Sequence, residues 1–459
     1  MLLAAILFAF APPPQSATAR LDTAIARMGG EVALRRIERP RFEAMTQWLR
    51  TSFDGRPFAE MLSYESHSDL RDYPHNAWRN TRRFLPVAPG QESVDIVADT
   101  VAIRGSGGEC APLNAAYVDD RAELFAFAPE RLLLAARAAV DLRTARDTTV
   151  AGVRYARLTA TVQGFPTAIW LREDDGMLAA AHFRAAQPRD FGLTAWGTMP
   201  VEIWYARWRA QPSGVRYPTQ LDVKRAGQAY KRITYLTVSL ETPAAPDSFA
   251  VSDSLRHAFA ATAARAMYDL APDSARITAE RFAEFRTNGY PVGAVRFGNA
   301  WLLLESGIAP LSAERALAWL GRSAPDARTS HAVVTVASNA AAGGVATVVA
   351  SGARAWAPAL TRDYARRVMT AQGKAGAVAE VTRPGQWLRV GSDSAFVEPM
   401  DLPDMPGSAI VYVPSLEWLY AYQAASPVVR DVVLARAKAH GWRVSWLGTA
   451  RDVHAKVGG

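Results

Sequence analysis

Side chains able to do chemistry are few and scattered in this 459-residue sequence. His67, Asp69, Asp72 and His75 fall within nine residues of one another and carry metal-ligating atoms. The Ser, Leu, Arg, Tyr and Pro residues between them predict a solvated loop or strand end instead. His331 shares a strand with Thr335, and His440 sits at a helix end, where it suits the negative pole of the dipole. His182, His257 and His454 have no partner in the pattern, and each is read as a surface or satisfied histidine. Cys110 is the single cysteine, which excludes an internal disulfide, a Cys-rich zinc site and a C-x-x-C motif. It is read as a quiet structural residue. Gly105-Ser106-Gly107-Gly108 lacks the Lys-Ser/Thr of a phosphate loop, and G-x-S-x-G and H-E-x-x-H are absent. Tyr73, Trp78, Trp204, Tyr205, Trp208 and Tyr230 could line an apolar groove, although sheet core is the plainer reading.

The elements that must position these groups divide the chain. Its length predicts two domains, and 49% hydrophobic with 21% charged residues is a globular balance. The net charge of +8 comes from arginines interleaved with acids, without a basic block, so no nucleic-acid partner is expected. Leu2 to Phe10 is apolar and is followed by three prolines and Ala17-Thr18-Ala19. This predicts a signal peptide over residues 1–19 and a periplasmic or secreted protein, soluble once the signal is removed. A helical pattern runs from Arg20 to Ala59, broken at Gly29-Gly30. Short alternating runs from Val94 to Val251 predict an antiparallel meander, with a hairpin turn at Asp174-Asp175-Gly176. Residues 241–254 read as a linker. Beyond it, strands and helices alternate: two strands around Gly298-Asn299, a helix capped by Ser312, and a strand over His331 to Ala337. A short helix opens at Gly343-Gly344, and a last helix starts at Ser426-Pro427.

The segment from Phe297 through Glu305, Gly307, Thr335 and Gly343-Gly344 to Gly352-Ala353 resembles the first half of a metallo-β-lactamase domain. There an acidic residue and Gly end a β-hairpin, and a strand enters Thr-His-x-His-x-Asp-His-x-Gly-Gly. The later Tyr412-Val413-Pro414 resembles the strand that precedes that family's bridging Asp. The resemblance covers about Met267 to Thr449, and it implies that Val336, Ser338, Ala340 and Ala341 stand at the signature positions. By the same resemblance Asp404 falls near the third His, Gln423 near the bridging Asp and Thr449 near the last His. Val and Ala offer no donor atom and a neutral Ser hydroxyl is a poor one, so no metal, no cofactor and no catalytic residue is expected. The N-terminal part, from Met28-Gly29-Gly30 to the stretch ending at Phe249, resembles lipoprotein-carrier-like domains, in which a curved sheet wraps helices around an apolar concavity.

The expected fold class is therefore α+β, with a curved antiparallel sheet domain over 20–254. A metallo-β-lactamase-like αββα sandwich lacking metal ligands would follow over 266–459. The expected function is that of a non-catalytic extracytoplasmic binding protein for a hydrophobic ligand or an envelope protein. The alternative is a hydrolase with a rearranged site drawn from Asp404, Ser338, Gln423 and His331.

Overall fold

The computed structural model describes residues 16–457 apart from 52–59, 86–91, 114–115, 188–196, 226, 244, 264–271, 273, 288–289, 375 and 451. Most of the expected signal segment therefore lies outside the described residues. Helix α1 (Ala17–Met28) starts before the expected cleavage point, with the Ser16 hydroxyl accepting from Ala19 N–H at 3.1 Å. Leu21, Ala24, Ile25 and Met28 recur at helical spacing and are buried. After α2 (Glu31–Arg35) the expected helix gives way to a strand, β1 (Arg41–Thr51). Phe42, Ala44 and Thr46 are buried at period two there, while Met45 and Leu49 on the other face hid that alternation in the sequence.

The chain continues through β2 (Glu60–Asp72), β3 (Ala77–Leu85), β4 (Glu92–Ala98), β5 (Val101–Ser106) and β6 (Glu109–Pro112). Two helices that the alternating pattern concealed come next, α3 (Ala116–Ala126) and α4 (Pro129–Ala138). Then follow β7 (Arg143–Val150), β8 (Val153–Val162), β9 (Phe165–Arg172), β10 (Leu178–Gln187), β11 (Gly197–Ala210), β12 (Arg216–Arg225) and β13 (Gln228–Ser239). All thirteen strands form one antiparallel sheet, ordered β6-β5-β4-β3-β2-β1-β13-β12-β11-β10-β9-β8-β7. Because β6 and β7 are its two edges, α3 and α4 connect one edge to the other. Leu132, Leu133 and Ala136 of α4 share a core with α1 and with Leu158, Ile169, Phe183 and Val201 of the sheet. The expected linker is partly structured: a 3-10 turn spans Pro246–Phe249 and α5 covers Asp253–Ala263. Val251 and Phe259 pack with Val97, Ala102 and Ile103.

The remaining strands build two sheets. The first orders β14 (Ser274–Thr278), β15 (Phe282–Thr287), β16 (Tyr290–Phe297), β17 (Ala300–Leu304), β18 (Arg328–Val333), β19 (Arg354–Pro358) and β20 (Val378–Val381). It is antiparallel as far as β17 and parallel beyond it. The second orders β21 (Gln386–Val390), β22 (Asp393–Pro399), β23 (Ala409–Val413), β24 (Trp418–Tyr420), β25 (Trp446–Gly448) and β26 (Ala455–Lys456). Leu302, Leu304 and Val333 of the first of these meet Val397, Val411 and Trp418 of the second in a single apolar cluster. On the opposite face of the β14–β20 sheet, Ala313, Ala316 and Leu320 of α6 (Pro310–Ser323) pack with Val348 of α8 (Val345–Ala350). Between these helices lies the single turn α7 (Asn339–Ala342), and α9 (Ala359–Ala371) follows β19. Helix α10 (Pro427–Ala439) is tied to β22 by Arg436 Nε donating to Glu398 at 2.7 Å. Ser312 does not cap α6: Ala309 takes that position, and the Ser312 hydroxyl is buried without a partner.

The chain as a whole is a mixed α+β protein, mostly antiparallel sheet with helices. Among the described residues no helix is long and apolar enough to cross a membrane.

Candidate functional site

The thirteen-stranded sheet encloses a cavity of about 330 Å³ between its inner face and the α3–α4 connection. Alternation on β2 sends Glu65, His67, Asp69 and Arg71 to the same face, and all four line the cavity. His67 and Asp69 are thus not in a solvated loop. Asp72 and His75 are elsewhere, at the end of β2, where Asp72 accepts from Arg39 Nε at 2.9 Å and lies 2.9 Å from His75 Nδ1. The four do not converge, and no group of three or more His, Cys, Asp or Glu suited to a metal occurs among the described residues.

The strand wall of the cavity is polar and largely paired. Arg71 donates to Asp69 at 2.7 Å with both side chains buried, and its guanidinium lies 4.6 Å from the Phe42 ring centre. The Trp78 indole N–H also donates to Asp69. Asp95 accepts from Arg104 Nε and contacts Arg82 at 3.2 Å. Burying charges is costly unless each is paired and hydrogen-bonded, and these are. His67 Nε2 lies 2.9 Å from Thr46 Oγ1, whereas its Nδ1 is buried without a partner. Burial lowers the imidazole to about 4, so the ring is neutral near pH 7. Burial likewise pushes the Glu65 carboxyl above its ordinary range, against the pull of Arg82 and Lys231. Apolar side chains line the cavity as well, from Leu124 and Phe127 near the helices to Ile203, Leu221, Val223 and Ile233 on the sheet, with Arg225 and Lys231 beside them on β12 and β13. Tyr230 and Trp78 line the cavity, as the aromatic pattern allowed, but Trp204 and Trp208 lie on a separate surface groove. That β2 carries a polar inner face was legible as Glu-x-His-x-Asp-x-Arg, a period-two run of ionisable residues.

At the second candidate site Val336, Ala340 and Ala341 carry no side-chain donor atom, and the polar residues are Ser338, Asp404, Gln423 and Thr449. Val336 and Ala341 are fully buried, Ser338 is 1% exposed and Ala340 is 8% exposed. Val336 and Ala341 belong to one cluster with Leu402, Met405, Leu419 and Ala421. Among the described residues the Ser338 hydroxyl has no hydrogen-bond partner. Asp404 is exposed with a left-handed φ of 60°, Gln423 is half-buried, and Thr449 is buried, its N–H donating to the Asp452 carbonyl at 2.7 Å. His331 is half-buried and 3.0 Å from Ser330 Oγ. A metal of the kind the resemblance implies needs several imidazoles and carboxylates on one rim. These residues do not fit one.

The frame around those positions is nonetheless tightly specified. Glu305, at φ 66°, ends β17 and buries its carboxyl; Thr335 N–H donates to it at 3.0 Å, the Thr335 hydroxyl also donates, and Tyr420 O–H donates at 3.3 Å. Burial pushes this carboxyl up to about 8 against those hydrogen bonds. A Cβ on Gly343 would lie 2.0 Å from the Ile308 carbonyl oxygen, and one on Gly344 would lie 2.2 Å from that of Ser306. Only glycine lets this turn sit against the hairpin end.

Of the other single residues, Cys110 is exposed on β6 rather than structural. His440 Nε2 is 3.0 Å from Glu398, His257 Nδ1 is 2.8 Å from the Asp253 carbonyl, and His454 stacks on Trp446 at 3.9 Å. His182 stacks on Trp170 at 4.2 Å.

No protein-family model matches the chain, and no curated protein is significantly similar to it. Among solved structures it is similar to a metallo-beta-lactamase from Pontibacter korlensis, at 13% identity and a TM-score of 0.31, over 40% of this chain and 91% of that one. It is also similar to a double mutant of the sec-alkyl sulfatase PisA1, at 11% identity and a TM-score of 0.33, over 40% of this chain and 39% of that one. Scores of this size leave the fold to be argued from the chain's own strands and contacts.

Proposed function

We propose that this chain is a non-catalytic, extracytoplasmic binding protein. Its N-terminal sheet, lipoprotein-carrier-like in kind, holds an amphipathic ligand in the cavity. Its C-terminal half is a metallo-β-lactamase-like sandwich that has kept the frame and lost the metal rim. The observation that carries the binding reading is a cavity lined by both charged and apolar side chains. The non-catalytic reading is supported by the burial of Val336 and Ala341 among apolar side chains. Export is supported by the apolar run and the small-x-small sequence before Arg20. The reading of a rearranged hydrolase draws less support, since Asp404 is exposed and no group of three or more His, Cys, Asp or Glu suited to a metal occurs among the described residues.

The test is a calorimetric titration of the full chain with a neutral twelve-carbon amphiphile, monododecanoylglycerol, beside metal analysis after dialysis. Saturable one-to-one binding, lost in Val223→Trp and weakened in the milder Leu221→Phe, is the expected result. Absence of binding, or stoichiometric zinc, iron or manganese, contradicts the proposal.

A further inference from the structure

The cavity's polar wall specifies more than an apolar guest, a selectivity that rests on the binding function proposed above. Three of its carboxylates already have cations: Asp69 has Arg71, Asp95 has Arg82 and Arg104, and Glu123 lies 3.9 Å from Arg225. Lys231 is different. Among the described residues its ammonium has no hydrogen bond and no ion pair. It rests on two aromatic faces, 5.2 Å from the Trp48 ring centre and 5.7 Å from that of Tyr230. Glu65, Asp120 and Glu123 act on it only at longer range, and Arg225 opposes them.

Beside it stand buried polar atoms that lack full partners. Among the described residues Trp48 Nε1 and Glu65 Oε2 are buried without a well-formed hydrogen bond, although the indole N–H acts on the Glu65 carboxyl and lowers its pKa. Glu65 is 3% exposed and lines the cavity. A half-buried cation in no ion pair among the described residues, next to an indole N–H without a well-formed hydrogen bond, is matched by an anionic acceptor. The apolar side chains of Ile203, Leu221, Val223 and Ile233 line the same cavity and suit a hydrocarbon chain.

We infer that the cavity selects an anionic amphiphile, its acidic head on Lys231 and Trp48 and its chain on the apolar side chains. The same chemistry belongs to a free fatty acid and to a lipid with a single acidic head. Dodecanoate and dodecyl phosphate separate these two sources.

The experiment titrates the full chain at one ionic strength with dodecanoate, dodecyl phosphate, monododecanoylglycerol and dodecyltrimethylammonium, each below its micelle concentration. At least one anionic probe is expected to bind about tenfold or more tighter than the neutral one, as a charge-assisted contact provides. Lys231→Gln is expected to remove that preference while leaving neutral binding within about twofold, and Lys231→Arg to keep it. Equal binding of anionic and neutral probes, tighter binding of the cationic one, or an anion preference surviving Lys231→Gln would overturn the inference while leaving the binding reading intact. If no probe binds, the binding reading itself falls. Retained neutral binding shows that Lys231→Gln is folded.

Discussion

The inner face of β2 and the turn from Thr335 to Gly344 are both buried surfaces where ionisable side chains are expensive, yet they hold opposite contents. On β2, Glu65, His67, Asp69 and Arg71 stand in a row facing a cavity, and the innermost pair is fully desolvated. On the turn, Val336, Ala340 and Ala341 leave nothing to coordinate or titrate; all three are buried, and Val336 and Ala341 belong to an apolar cluster. Buried charge is retained only where a network or a ligand compensates it. Under the proposed function, recognition belongs to the thirteen-stranded sheet and the C-terminal sheets are a frame.

The comparison can be strained from both ends. Arg71→Met leaves Asp69 buried with only the Trp78 indole, so it should destabilise the protein by about 3–5 kcal/mol in denaturant unfolding. A loss below about 1 kcal/mol would mean that the polar wall is solvated.

Glu305 offers a second lever, through pH. Its folded carboxyl, at about 8, lies above the value of 4.5 for the free side chain. The native state therefore holds the proton longer, so the stabilisation is complete below about pH 4.5 and is lost as pH rises toward 8. His67, at about 4 against 6.5, works oppositely, and its contribution is lost as pH falls from 6.5 through 4. In Glu305→Gln the decline between pH 6.5 and 8 should flatten, removing a slope of up to about 1.4 kcal/mol for every step of one in pH. Parallel unfolding profiles for the two proteins would place that carboxyl in water.

Gly343→Ala drives a Cβ into the Ile308 carbonyl and should cost about 2–3 kcal/mol, read as a lowered melting temperature. Ser338→Ala should be neutral or stabilising by up to about 1 kcal/mol, because the hydroxyl it removes is buried without a partner. A clear loss of stability there would show that this hydroxyl has a partner, and with it a remnant of a polar rim.

Much of the sandwich was legible because its turns are punctuated by residues with a single physical use. The hairpin at Gly298-Asn299, the helix after Gly344 and the helix from Pro427 all stand where the spacing put them. The thirteen-stranded sheet was harder. In β1 apolar residues occur on both faces, so the run from Phe42 to Leu49 mimics a helix. Helices α3 and α4 were hidden because Ala-rich runs between strands carry no strong period of their own. The concavity is legible but its polar lining is not: charged residues read as solvent-facing, whereas cross-strand pairing such as Asp95 with Arg104 lets a carboxylate face inward. Pairing across strands is not readable from local sequence. That Val336, Ala340 and Ala341 carry no donor atom is readable residue by residue, but their burial is not.

The claim that binding belongs to the thirteen-stranded sheet and not to the sandwich rim meets its most direct test in one titration series. Dodecanoate affinity would be measured by calorimetry for the unaltered chain, for Val223→Trp in the cavity and for the triple rim variant Ser338→Ala, Asp404→Ala, Gln423→Ala. The cavity variant should lose about tenfold or more in affinity while the rim variant stays within about twofold. Loss of binding in the rim variant, with the cavity variant unaffected, would contradict the account.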